Sequence, residues 1–394
     1  MGYEIEGRWP IYSSAEIEAV TKVLESGLVN YWTGNEVRAF EEEFAQWCGV
    51  SHAVALANGT VALELALRAV GIECGDEVMV SPRSFLASAT APSLVGAVPV
   101  FVDLDPNTQA LSVDSMRAAL TEKTKALIVV HLGGLPADMD PILAFAKEYG
   151  LFVIEDCAQA HGAQYKGRSV GSIGDIGAWS FCQDKIMTTG GEGGMLTMNS
   201  PELWSKAWSY KDHGKSYERV HRKDHPPGFR WLHTSLGNNY RLTEMQAAIG
   251  RKQLETMPAT VAQRHHVASE YASVCELYEW VRVQYVPDHS VHAYYRYYVF
   301  VDADMVPGHW SRDAIMSALN DRGVPCLQGS CPNIAKEALF DQLPFKSQPL
   351  PTAERLGNTS LMFLVHPTLT ANDLKFLTME IKAVFDAVER DRTQ

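Results

Sequence analysis

Between residues 52 and 156 the chain alternates short apolar runs with helical patterns, and this constrains the fold more than any other feature. HAVALA (52–57), EVMVSP (77–82), PVFVDLD (99–105), KALIVVHL (125–132) and LFVIED (151–156) read as buried strands. VALELALRAV follows the sharp turn Asn58-Gly59-Thr60 as a helix, and DPILAFAKEYG is a second helical pattern before the last run. Strands alternating with helices of this length predict βαβ units, hence an α/β fold with a mainly parallel sheet. Ligands of such sheets sit beyond the carboxyl ends of the strands. The acid at the end of LFVIED, Asp156, is therefore placed where a site belongs.

GAWSF is a further strand-like run, and after it comes Lys185, ahead of the glycine-rich TTGGEGG. A lysine deep in a cleft has its pKa depressed by desolvation, which frees the amine to form a Schiff base. An acid that keeps a pyridine nitrogen protonated, together with such a lysine, is the basic apparatus of pyridoxal phosphate (PLP) chemistry, with pyridoxamine phosphate as its aminated form. Taken singly, a lysine near glycines is an ordinary solvated loop residue and an acid after a strand is a turn or cap residue. The ensemble argues otherwise.

The order Asp156, Gln159, His161, Ser180, Lys185 and Gly190-Gly191-Glu192-Gly193-Gly194 resembles the DegT/DnrJ/EryC1/StrS family, the sugar aminotransferases of PLP fold type I. The resemblance runs from about Gly34 to the C-terminus and is specific in its first two thirds. It implies a large PLP-binding domain over residues 1–250, with an N-terminal helical segment and a mainly parallel seven-stranded sheet between helices. A smaller C-terminal α+β domain over 251–394 would complete the chain. Catalytic roles are implied for Lys185, which carries the cofactor, and Asp156, which pairs with the pyridine nitrogen. Gly59 and Thr60 match the family's SGT-x-AL element as phosphate ligands, with Asn58 in place of the usual Ser. Phe85 would stack on the cofactor ring, Gln159 touch the side of the ring hydroxyl, and Ser180 join the phosphate ligands. His161 would support Asp156 or be a buried structural histidine. LGNNYRLTEMQAAIG (236–250) resembles G-x-N-Y-R-x-T/S-E-x-Q-A-A. It implies that Asn239 and Arg241 reach the cofactor phosphate and cleft of a neighbouring subunit, in a homodimer with shared active sites. The chain departs from the family at Arg83, a position often aromatic, and over 323–340, where Cys326 and Cys331 read as packed thiols.

Residues 13–26 read as a helix capped by Ser13 or Ser14, with Ile17, Val20 and Leu24 at helical spacing, and Val37, Phe40 and Phe44 mark another. Long helices are expected from about residue 240 to Val274, a strand over 294–303, a helix over 312–323 and an amphipathic helix at the end. The polar, His-rich stretch 211–235, with Pro226-Pro227, is either a solvated loop or a loop edging the site. A formal net charge of −13 argues against nucleic acid or anionic membranes as partners. The seven cysteines form no CxxC pair and no zinc spacing, so no metal is expected and reduced thiols fit. MGYEIEGRWPIY has no apolar signal-peptide core and no run reaches 18 apolar residues, so a cytoplasmic enzyme is expected.

The expected reaction is transfer of an amino group, with glutamate as donor, to a nucleotide-linked keto sugar. A cyclitol (inosose) aminotransferase has the same machinery. A PLP-dependent sugar dehydratase of the family has His where Lys185 stands. A non-catalytic sensor predicts a broken lysine, acid or phosphate site, and none is broken here.

Overall fold

The computed structural model describes residues 3–222 and 231–394; Pro226-Pro227 and the rest of 223–230 lie outside the described residues. An eight-stranded sheet organises the larger part. Its order is His52–Leu56, Gly194–Met198, Ile176–Ser180, Phe152–Asp156, Thr124–Val130, Glu77–Val80, Val98–Phe101 and Lys346–Ser347. Gly194–Met198 runs antiparallel to both its neighbours, and all other pairings are parallel. The five runs read as strands form, each within a few residues of its expected ends, and GAWSF falls in Ile176–Ser180. Gly194–Met198 was not read from sequence, because the glycines before it mask the apolar run. The seven strands expected of the large sheet all come from residues 52–198, and Lys346–Ser347 adds an eighth on the edge.

The central strands are apolar over most of their length because helices cover both faces. Val78, Met79, Val80, Ala126–Val129, Val153 and Ile154 are buried in one core with Leu63, Leu65 and Leu67 of the helix Gly59–Ala69. A second sheet is antiparallel, in the order Val281–Val283, Arg296–Val301, Ser360–Leu364 and Cys326–Leu327, and packs with the C-terminal helix Ala371–Thr393. Between the two lies one 32-residue helix, Glu244–Cys275. Its N-cap is Thr243, and Thr243 and Gln246 exchange hydrogen bonds in a capping box. The Thr-Glu-x-Gln part of the motif is thus helix punctuation.

The first helix, Ser14–Ser26, is capped by Ser13 as expected, but its apolar stripe faces outward. Ile17 and Leu24 are exposed, and the helix packs on Glu244–Cys275 through Val23 and a Glu16–Gln253 hydrogen bond of 2.9 Å.

The N- and C-terminal segments are tied by one carboxylate. Buried Asp373, inside the capping box of the last helix, accepts from the Glu6 and Gly7 amides at 2.8 and 3.0 Å, from the Tyr3 hydroxyl at 2.8 Å and from Thr370. Burial opposes its charge, but these donors more than reverse that and hold its pKa well below the ordinary carboxylate range. Because the folded pKa is depressed, the stabilisation is full above the unfolded value of about 3.9 and is lost as pH falls toward the folded value. Asp373→Ala should cost about 2–4 kcal/mol in urea unfolding at neutral pH, and less in acid. An unchanged midpoint at pH 7 would show that the terminal clasp carries no stability.

Candidate active site

Parallel pairing sets Asp156 beside Val130 and Ala178, at the carboxyl end of the sheet. Side chains alternate along the strand, so Glu155 and Asp156 point to opposite faces. Glu155, fully buried, accepts from the Gly171, Ile173 and Gly174 amides at 2.7–2.9 Å and pairs with His131 at 3.0 Å. His131 Nδ1 accepts the Ala137 amide, so its other nitrogen donates to Glu155. Cys157 adjoins this pair, but the Glu155 carboxylate is already fully engaged and burial lifts the thiol pKa well above its usual value, so the trio is an internal staple.

Asp156 lines a cavity of about 670 Å3 together with Gly59, Thr60, Phe85, Gln159, Ser180 and Lys185. Seven of the nine sequence-predicted site residues thus converge. Asp156 is 5% exposed; its Oδ2 accepts from Ser88 Oγ at 2.6 Å and its Oδ1 from the Ala158 amide at 3.2 Å. Burial raises its pKa, only partly offset by Ser88, Ala158 and the Lys185 charge. A cationic N–H opposite it is what this carboxylate lacks.

Gly59 opens a helix whose N-cap, Asn58, accepts the Val61 amide at 3.0 Å, so Asn replaces Ser without loss of the cap. A Cβ at Gly59 would meet Ser180 Cβ at 2.6 Å, which keeps this position open to glycine alone. The free amides and dipole of that helix face the cavity, a ready anion site. Phe85 is 66% exposed, which excludes a core role and leaves a ring face open at the cavity. Gln159 Oε1 is fixed by the Gly133 amide at 2.7 Å, leaving its NH2 as the free end. Among the described residues His161 has no hydrogen-bond partner, and it packs between Trp179 and Phe181, 5.1 and 5.6 Å between ring centres; burial lowers its pKa to about 3. It is a neutral core residue and does not touch Asp156.

Lys185 departs from the sequence argument. Its Nζ lies 3.4 Å from both Asp184 and the Tyr295 hydroxyl, and Tyr295 in turn donates to Asp184. Burial pulls the ammonium pKa down, as argued from the sequence, but the Tyr295 oxygen and the Asp184 carboxylate reverse this and the net shift is upward. Burial also raises the Tyr295 pKa, so its hydroxyl stays protonated at neutral pH and Asp184 supplies the acting charge. Arg296, 3.8 Å from Asp184, also lines the cavity. Asp184, Tyr295, Arg296 and Ser88 were not singled out from sequence. Asp184 adjoins the lysine, but Tyr295 and Arg296 lie more than a hundred residues away and nothing local links them.

Asn239 and Arg241 do not reach this cavity. Asn239 is exposed, and Arg241 pairs with buried Asp212 at 2.8 Å. Asp212 also pairs with Lys215, and Lys211 is buried against Glu41, so the stretch from 211 begins as packed structure and not as a solvated loop. Cys326 is buried, and half-buried Cys331 lies 3.4 Å from Glu337, both as packed thiols.

The model of the DegT/DnrJ/EryC1/StrS aminotransferase family matches residues 10–382. The chain belongs to this family. It is 51% identical to the aminotransferase from Psychrobacter cryohalolentis, whose structure superposes with a TM-score of 0.95 over 98% of this chain and all of that one. It is 35% identical to the spore coat polysaccharide biosynthesis protein SpsC of Bacillus subtilis over 96% of both chains. With the GDP-perosamine synthase of Escherichia coli O157:H7 it shares 42% identity over 66% of this chain and 69% of that one. As a DegT/DnrJ/EryC1/StrS member it is a PLP-dependent aminotransferase of fold type I. The cavity fits that cofactor: an anion-binding helix end, an under-compensated buried carboxylate, an open aromatic face and a lysine surround one volume.

The Lys185 environment makes a directional prediction. Asp184→Asn should lower the pH at which Lys185 loses its proton, read as the pH dependence of its labelling by an amine-reactive reagent in cofactor-free protein. An unmoved or raised titration would assign the upward shift to another group.

Proposed function

We propose that the chain aminates a nucleotide-linked keto sugar, with glutamate as donor, in amino-sugar or surface-polysaccharide synthesis. The convergence of Asp156, Lys185 and the Gly59–Thr60 helix end on one cavity carries this reading. The sugar-directed names of the relatives support the acceptor class. When bound, PLP supplies the electron sink that lets a bond at the donor Cα break. Gly59, Thr60 and Ser180 would hold its phosphate, Phe85 and Gln159 its ring, and Asp156 would keep a proton on its nitrogen. Lys185 Nζ would carry the cofactor and move the proton at the donor Cα. Asp184 and Tyr295 give that amine a fixed resting position when it is released. Arg296 offers the cation that a dicarboxylate donor requires.

Borohydride reduction of the PLP-loaded enzyme should leave the cofactor on the peptide containing Lys185. Lys185→Ala should abolish transamination while retaining cofactor; substantial turnover by that variant would refute the assignment. With glutamate, a panel of nucleotide-linked keto sugars should yield product, and a preference for an inosose would replace the sugar by a cyclitol.

A homodimer with shared sites belongs to the same proposal. Ile17, Leu24 and Leu28 near the N-terminus are at least half exposed, and Trp231 and Leu236, beside Asn239 and Arg241, are more so, at 77% and 90%. Apolar surface of this extent suits a second copy of the chain. Asn239 and Arg241 would then complete the partner's phosphate pocket. Mixing inactive Lys185→Ala with inactive Asn239→Ala/Arg241→Ala subunits should restore roughly a quarter of wild-type activity, since about half the dimers are hybrid and each has one intact site. No recovery after verified subunit exchange would remove these residues from the partner's site.

A further inference from the structure

The segment leading into the strand Arg296–Val301 separates two cavities. Tyr295, Arg296 and Tyr298 line the active cavity. Tyr294, Tyr297 and again Tyr298 line a second one, of about 400 Å3. That volume lies within the range of small-molecule sites, about 300–1,000 Å3.

The electrostatics of the second cavity are one-sided. Glu276 is the C-cap of the long helix Glu244–Cys275 and lines the cavity with Ala272 from the last turn. A helix C-terminus carries negative partial charge, so a carboxylate there is opposed unless a cation is near. Among the described residues Glu276 forms no ion pair. Glu276 shares the cavity lining with Tyr294 and Tyr297, and the Tyr294 hydroxyl pKa is raised by burial and then by the Glu276 charge. Tyrosine faces next to a carboxylate are the ordinary surroundings of an ammonium group.

Other polar groups of this wall are unspent. Among the described residues, the hydroxyl of Tyr297, a residue only 6% exposed, has no hydrogen-bond partner, and neither end of the Gln284 amide has one. Buried polar groups are normally satisfied, so such orphans require an explanation. Tyr294 is also held at φ 47, a left-handed conformation costly for a bulky residue, and its amide is pinned by His292 Nδ1 at 2.9 Å. This backbone turn places Tyr294 at the second cavity and Tyr295 at the first.

We propose that the second cavity binds a monosaccharide-sized molecule bearing a protonated amine and several hydroxyls. Glu276, the helix end and the tyrosine rings would take the ammonium, and Gln284 and Tyr297 the hydroxyls. The amino-sugar moiety of the proposed product, without its nucleotide, belongs to this class, and only that link rests on the functional reading. Because Tyr295 holds Asp184 beside Lys185, an occupant against Tyr294 sits one residue from the catalytic contact.

The test uses PLP-loaded protein and D-glucosamine as probe, titrated by calorimetry at a pH where the amine is charged. D-Glucose and N-acetyl-D-glucosamine are the controls. Glucosamine should bind, with both neutral sugars roughly tenfold weaker or worse. Glu276→Gln, an exposed substitution, should bring glucosamine to the level of glucose, and Tyr297→Phe should weaken it several-fold, with unchanged thermal melting in both. Binding should persist in Lys185→Ala. Equal affinity in wild type and Glu276→Gln, no preference for the charged amine, or no binding at millimolar probe would each overturn the proposal. Loss of the expected transaminase activity with glucosamine binding intact would refute the functional reading alone.

Discussion

The site depends on the roll of one strand end. Glu155 is locked on one face by three backbone amides and His131, so the preceding register cannot slip without stranding a buried carboxylate. A one-residue slip would reverse the faces of the whole strand. With Glu155 fixed, Asp156 must face the cavity, and parallel pairing brings Ser180 of the next strand to the same edge. The cavity edge is thus positioned by a pair, Glu155 and His131, that does not line the cavity.

Charge in the cavity follows from composition across distance. Asp156 alone in a buried setting is held toward its neutral form, while Lys185 is held as a cation by its neighbour Asp184. The two groups sit in one volume but answer to different partners. A ring nitrogen that carries a proton suits the first, and an amine that must shed one faces the second. Tyr295 and Arg296 join this balance from the strand that bounds the other cavity.

The motifs separate into chemical and structural parts once their contacts are known. In LGNNYRLTEMQ, Thr243 and Gln246 cap a helix, whereas exposed Asn239 and half-buried Arg241 lie outside the cavity. Asn58 shows the reverse economy, since an amide serves the turn as a serine would. Within 153–194, Asp156 and Lys185 line the cavity and His161 disappears into an aromatic cluster.

The alternation of apolar runs and helical patterns determined the parallel sheet and the strand carrying Asp156, and the family resemblance marked Gly59, Thr60, Phe85, Gln159, Ser180 and Lys185, which line one cleft. These are local signals: period, turn chemistry and spacing survive in one dimension. The sequence did not reveal Gly194–Met198, whose glycines hide a buried strand, nor the outward face of Ile17 and Leu24, which has the same helical period as an inward one. The tertiary structure alone decided the sign of the Lys185 shift. Burial and charge act through space, and the opposing contributions come from an adjacent residue and from Tyr295, far along the chain.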